Sequence, residues 1–132
     1  MQSRRFVLSL VLAASPLAAG GCFLVTAGAG AAGAIAYTKR GATSVVPGTV
    51  DQAFDRAAAA FQQAGIAETG RSTADNGRQR KLVGTKGEYE VTADLNHTTD
   101  STTKVEITAR KSAVEYDKEM AKDILNRIVS MT

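Results

Sequence analysis

Cysteine, histidine and tryptophan are scarce in this sequence, and each shortage excludes a class of site. The chain of 132 residues has one cysteine, one histidine and no tryptophan. One cysteine cannot form a disulfide within the chain, and a structural zinc site needs several cysteine or histidine ligands. We therefore predict no metal site, and the single cysteine, Cys22, needs another explanation.

The chain also lacks a real excess of charge of one sign. Its formal net charge is +3, but Arg4 and Arg5 lie in an N-terminal segment that we expect to be removed. Without them, 14 of the 16 basic side chains remain, against 13 acidic ones. Binding to nucleic acid depends on neutralising phosphates, so we predict no nucleic-acid partner.

The N-terminus has the pattern of an export signal. A short positive segment is followed by an apolar run, Phe6 to Ala19, which contains Pro16 and is shorter than the roughly 20 residues of a membrane-spanning helix. Gly20 and Gly21 then precede Cys22. This pattern resembles a bacterial lipoprotein signal, in which cleavage before the cysteine is followed by acylation of that cysteine.

The resemblance implies a signal peptide over residues 1–21 and lipid attachment at Cys22. Several acyl chains, palmitate among them, give stable membrane anchoring where one chain does not. Because Phe23 is not Asp, the resemblance also implies, for a Gram-negative source, the outer membrane, with the protein facing the periplasm. Ser3 to Leu8 matches the twin-arginine motif in part, so export by either the Sec or the twin-arginine route stays open.

A glycine-rich stretch follows the cysteine. Gly28, Gly30 and Gly33 have the spacing of a dinucleotide-binding loop, but that loop needs alternating strands and helices after it. The sequence shows none, so we predict no cofactor. We assign residues 22–43 to a membrane-proximal segment, in which residues 23–37 form a tether, an interfacial helix or a span.

Two capping boxes predict two helices in the remaining chain. Thr49 and Gln52 form the first box, and apolar residues at helical spacing continue from there until Gly65 ends the helix. Ser112 and Glu115 form the second box, which predicts that the second helix begins at Ser112.

Alternation of apolar and polar residues predicts strands between the helices. It is strongest over residues 88–95 and 104–110, and weaker over 66–72 and 79–85, with a further short strand at 43–46. These elements predict an α+β domain over residues 44–132. We expect an antiparallel four- to five-stranded sheet with two helices on one face, in the order β-α-β-β-β-β-α.

Charge predicts the register of the strongest hairpin. Pairing Asp94 with Lys104 and Glu88 with Arg110 places opposite charges across the strands. A shift by two residues would place Asp94 opposite Glu106, and like charges in that position destabilise a sheet.

The whole pattern resembles a family of small bacterial lipoproteins that share a domain of unknown function. The resemblance rests on Cys22, the Gly/Ala run ending at Tyr37, Val45-Val46-Pro47, the apolar positions Val50, Phe54, Ala57 and Ala58, the turn with Gly84 and Gly87, and the C-terminal amphipathic helix. It implies a fold and an envelope location, and it carries no catalytic residues.

The residues themselves show no catalytic constellation. His97 lies in a predicted turn, and the sequence has no Gly-x-Ser-x-Gly nucleophile motif. We expect Glu88, Glu90 and Asp94 to be solvated and ion-paired, and residues 78–81 to be a solvated basic strand end. The prediction is therefore that the protein is not an enzyme.

Three functions remain in competition. The first is a membrane-anchored, non-enzymatic interaction or assembly module of the cell envelope, bound to the bilayer through acylated Cys22 and to an unidentified envelope protein. The second is a membrane-active structural protein that oligomerises through the Gly/Ala-rich segment. The third is a small envelope enzyme. The anchor and the balanced charge favour the first.

Overall fold

The computed structural model describes residues 34–132, which fold as one sheet covered by two helices. The elements are β1 (Ala36–Tyr37), β2 (Gly41–Pro47), α1 (Val50–Gln63), β3 (Ala67–Ala74), a short 3-10 turn (Asp75–Gly77), β4 (Gln79–Lys86), β5 (Tyr89–Thr99), β6 (Thr102–Arg110) and α2 (Lys118–Ser130).

The described sheet has six strands in the order β1-β2-β6-β5-β4-β3, and every pairing is antiparallel. The predicted α+β class is confirmed, and the observed element order is β-β-α-β-β-β-β-α. The additional strand is β1, which the prediction did not include. Two residues are too few to show alternation, so the sequence gives no periodic signal for it.

Helix α1 begins as its capping box predicts. The Thr49 hydroxyl accepts a hydrogen bond from the Gln52 backbone N–H at 3.2 Å, and the Gln52 side-chain oxygen accepts from the Thr49 N–H at 3.0 Å. The helix ends at Gln63, and Gly65 has φ +72°, a conformation that favours glycine. Its buried face consists of Val50, Ala53, Phe54, Ala57, Ala60 and Phe61.

The predicted start of the second helix at Ser112 is wrong. Helix α2 begins at Lys118, where the Asp117 carboxylate accepts a hydrogen bond from the Met120 N–H at 2.9 Å. The backbone N–H groups of Lys111 and Ser112 donate instead to the Glu115 carbonyl, which closes a loop before the helix. The buried face of α2 consists of Ala121, Ile124, Leu125 and Ile128.

Both helices pack on one face of the sheet, here called the covered face. Alternate strand residues point into this layer and are almost fully buried, namely Ala42, Ser44, Val46, Leu82, Val91, Ala93, Leu95, Thr103, Val105, Ile107 and Ala109. The helices contact each other as well as the sheet, so the described residues share one core.

The register predicted for β5 and β6 is wrong by two residues. Glu90 lies opposite Arg110, and Asp94 lies opposite Glu106, the like-charge arrangement that the charge argument rejected. That argument considered β5 and β6 alone. In the six-stranded sheet, Asp94 also borders β4, where the Lys81 ammonium lies 3.4 Å from its carboxylate. This attraction offsets part of the repulsion.

Candidate functional site

The face of the sheet opposite the helices, here called the open face, carries no helix among residues 34–132. It consists mainly of polar and small side chains: Thr43, Val45, Ser72, Gln79, Lys81, Val83, Thr92, Asp94, Asn96, Lys104, Glu106 and Thr108. Over β3, β4 and β5 it holds a shallow depression of about 230 Å³. Hydroxyl, amide, carboxylate and ammonium groups meet there, and such groups form hydrogen bonds and ion pairs with a partner.

Two facing carboxylates are the electrostatic feature of this face. Asp94 and Glu106 are direct neighbours across β5 and β6, a placement that destabilises a sheet. Lys81 contacts Asp94, and both side chains remain partly exposed, at 50% for Lys81 and 37% for Asp94. Natural sequences keep such local conflicts mostly at functional sites, so this face is the best candidate site in the described fold.

The other predicted acidic side chains are paired with cations, as expected, but with different partners. Glu90 lies 3.2 Å from the Arg110 guanidinium, and Glu88 lies 3.2 Å from the Lys111 ammonium. The prediction that these carboxylates are solvated and ion-paired is confirmed. Its specific pairs are wrong because the register is shifted.

The basic stretch at residues 78–81 does not form a single patch. Lys81 lies on the open face, whereas the Arg80 guanidinium turns to the covered face and stacks 3.6 Å from the centroid of the Phe54 ring. Arg80 also donates to Asp51 at 2.9 Å, and its buried Nε atom has no hydrogen-bond partner among the described residues. The aliphatic stem and the flat guanidinium thus cover an aromatic side chain of the core.

A second arginine lies near the same ring. The Arg71 guanidinium is 5.1 Å from the Phe54 centroid and is hydrogen-bonded to Glu68. This bond holds the pKa of the Glu68 carboxyl below its usual value and raises the pKa of Arg71. Arg71 of β3 and Arg80 of β4 therefore both lie over the Phe54 ring, where α1 packs against these two strands.

His97 lies in β5 and not in a turn, and its imidazole is partly buried. Its Nδ1 atom is 3.3 Å from an Arg78 nitrogen, and its Nε2 atom is 3.6 Å from Asp100. A guanidinium group only donates, so Nδ1 is the acceptor in the contact with Arg78. The imidazole therefore lies between a cation and a carboxylate, which is a structural arrangement between two hairpin turns.

Three further observations concern the predicted sites. Between residues 34 and 132, no three His, Cys, Asp or Glu side chains are grouped to hold a metal ion. No helix within the same residues has the length and apolar character needed to cross a bilayer. Cys22, the predicted lipid attachment site, and the glycines at 28, 30 and 33 lie outside the described residues.

The open face is the feature that sequence reasoning missed. Alternation identifies its β5 and β6 residues as the polar sides of strands, but the charge argument excludes the facing of Asp94 and Glu106, which the structure shows. The signal that identifies it is a pair of like charges, Asp94 and Glu106, on facing positions of neighbouring strands.

Comparison with known proteins places the chain in a family. No protein of curated function matches it. A family model described as "Protein of unknown function (DUF3568)" matches residues 5–130. This match spans nearly the whole sequence, including Cys22 and every helix and strand of the described fold, so the chain belongs to the DUF3568 family.

Proposed function

We propose that this protein is a lipoprotein of the bacterial cell envelope, anchored through acylated Cys22 in the outer membrane and facing the periplasm. The supporting observation is the sequence before Cys22, where a positive start, an apolar run and small residues precede the chain's single cysteine. The described fold begins 12 residues later, at Ala34. Twelve residues reach at most about 40 Å when fully extended, so the proposed anchor would keep the domain within about that distance of the bilayer.

We assign to the domain the role of a non-enzymatic interaction or assembly module, with the open face as its contact surface. The covered face packs against the two helices, whereas the open face presents charged and polar groups on paired strands. Asp94 and Glu106 would be neutralised by cationic side chains of a protein partner. Their mutual repulsion in the free domain makes that neutralisation favourable.

The anchor is tested by the intact mass of the protein purified from membranes. We expect a chain that begins at Cys22 and carries acyl chains. A chain that retains Met1, or one that carries no lipid, contradicts the lipoprotein proposal. The variant Cys22→Ser serves as the matched control, because it removes only the acylated thiol.

The contact surface is tested by site-specific photocrosslinking in intact cells. A photoreactive side chain at Thr92, on the open face, is compared with one at Gln62, on the exposed side of α1. We expect one reproducible crosslinked product from position 92 alone, and we expect Asp94→Lys to abolish it. Equal products from both positions, or none from position 92, contradict the role of the open face.

A further inference from the structure

One end of the domain combines exposed apolar side chains with unpaired cations. The two large hydrophobic side chains exposed within residues 34–132 are Tyr37, at 50%, and Val114, at 89%. Tyr37 ends β1, and Val114 lies in the loop between β6 and α2. Both positions belong to the same end of the sheet, because β1 and β6 each finish there.

Side-chain contacts show that this end is one continuous surface. The Tyr37 hydroxyl donates to Glu119 in the first turn of α2 at 2.9 Å, and the Lys122 ammonium lies 5.4 Å from the Tyr37 ring. On the other side of the loop, Lys111 is paired with Glu88, in the turn between β4 and β5. We call this surface the basic end; it comprises residues 37–40, 86–88, 110–119 and Lys122.

At the basic end, more cations than carboxylates lack an ion-pair partner. Within the described residues, no carboxylate lies within 4.0 Å of the cationic groups of Lys39, Arg40, Lys86, Lys118 or Lys122. Of its four carboxylates, Glu88 is paired with Lys111. The other three, Glu115, Asp117 and Glu119, face five cations that have no carboxylate partner, so the surplus at this surface is positive.

At the opposite end of the domain, fewer cations lack a carboxylate partner. Arg78 and Arg80 are paired there with Asp75 and Asp51, which leaves Arg56, a donor to the Pro47 carbonyl, and Lys104 without one among the described residues. Exposed apolar side chains flanked by free lysines are typical of surfaces that lie against anionic lipid, because the ring and aliphatic groups enter the headgroup layer while ammonium groups meet phosphates.

We propose that the basic end docks on an anionic phospholipid surface. The docking would hold the open face at a fixed height and orientation above the membrane. This inference rests on the proposed function, since a lipid anchor keeps the domain at the bilayer and raises its local concentration there. Tyr37 is also close in sequence to the anchor, 15 residues after Cys22.

The absence of tryptophan from the natural sequence allows a direct test. Val114→Trp places a single tryptophan on the basic end, and Ser101→Trp places one in the exposed turn at the opposite end. Each full-length protein, purified with its membrane anchor, is inserted into vesicles that contain brominated phosphatidylglycerol. Because both reporters are tryptophan, its own preference for the membrane interface is matched.

We expect bromine to quench the Val114→Trp reporter at least about twice as strongly as the Ser101→Trp reporter. High salt, or the added changes Lys118→Gln and Lys122→Gln, should remove the difference. Brominated phosphatidylcholine vesicles, which carry no net charge, should give weak quenching of both reporters. Equal quenching of the two reporters, or quenching that is independent of the anionic headgroup, overturns the proposal.

The two proposals fail in distinguishable ways. The intact mass of each purified reporter protein shows whether Cys22 is acylated, and a missing acyl group contradicts the lipoprotein proposal alone. An acylated protein without selective quenching of the Val114→Trp reporter contradicts docking alone. Thermal unfolding of both reporter proteins verifies that neither substitution disturbs the fold.

Discussion

The covered face and the open face belong to the same strands but place different demands on the sequence. On the covered face, residues such as Leu82, Ala93 and Ile107 are fully buried, and their volumes must suit a closely packed interior. On the open face, Thr92, Asp94 and Glu106 remain partly exposed, and their identity is not needed to fill space. One face is therefore constrained by packing and the other is available to function.

The two faces should differ most in the stability lost when a side chain is truncated, and the largest loss should come from the buried ring of Phe54. Phe54 is 1% exposed and supports both Arg71 and Arg80. We expect Phe54→Ala to lower the free energy of unfolding by about 3–5 kcal/mol. The matched change on the open face, Thr92→Ala, should alter it by less than about 0.5 kcal/mol. Urea denaturation of both variants measures the contrast, and similar losses would contradict it.

Two glycines show where this contrast breaks down. A Cβ atom added at Gly41, in β2, would lie 1.9 Å from the Ile107 carbonyl oxygen, whereas one added at Gly70, in β3, meets nothing within 4 Å. We expect Gly41→Ala to destabilise the fold by about 1–3 kcal/mol, because backbone must move.

Gly70→Ala is the control for this prediction. It should leave stability unchanged or raise it by up to about 1 kcal/mol, because alanine restricts the unfolded chain. Thermal unfolding distinguishes the two variants. A tolerated Gly41→Ala would show that β2 and β6 approach less closely than the structure indicates.

Removing one of the two facing carboxylates should change stability by a smaller amount. Glu106→Gln removes the repulsion with Asp94, and we expect it to stabilise the domain by about 0.2–1 kcal/mol at low salt and by less at high salt. Glu90→Gln, which faces Arg110 instead, should destabilise it slightly. Chemical denaturation at two salt concentrations measures both changes. Destabilisation by Glu106→Gln would mean that this carboxylate supports the fold.

The smallest expected effect is a dependence of stability on pH through Glu68. The pKa of Glu68 is lowered in the folded state by its hydrogen bond to Arg71, so its stabilisation is present above the unfolded pKa of about 4.3 and is lost as the pH falls through the folded value. We expect the wild-type protein to be slightly more stable than Glu68→Gln near neutral pH. This difference in the free energy of unfolding should disappear below about pH 4. Stability curves over this range test the sign.

Local signals predicted the helices and strands better than their ends and pairings. The Thr49 cap and the alternating strands are set by neighbours in sequence, and the structure confirms them. The start of α2 depends on the return of Tyr116 to pair with Arg110. A single bridge between residues six apart follows no helical or strand periodicity, so the box at Ser112 is misleading.

The open face was predicted only in part for a similar reason. Alternation identified the polar sides of β5 and β6, but their register depends on β4, whose Lys81 stabilises Asp94 from the other side. A charge rule applied to two strands cannot include the third. The predicted lipid site at Cys22 remains a prediction, since it lies outside the described residues.

The short strand β1 has a mechanical consequence. It is held to β2 by two residue pairs, Ala36 with Thr43 and Tyr37 with Ala42, and it contributes no residue to the fully buried core. A force that pulls on the chain ahead of Ala34 would peel these pairs apart one at a time and release roughly 20 Å of extra length. Tension applied from the N-terminal side would thus lengthen the chain before any force reaches the buried core.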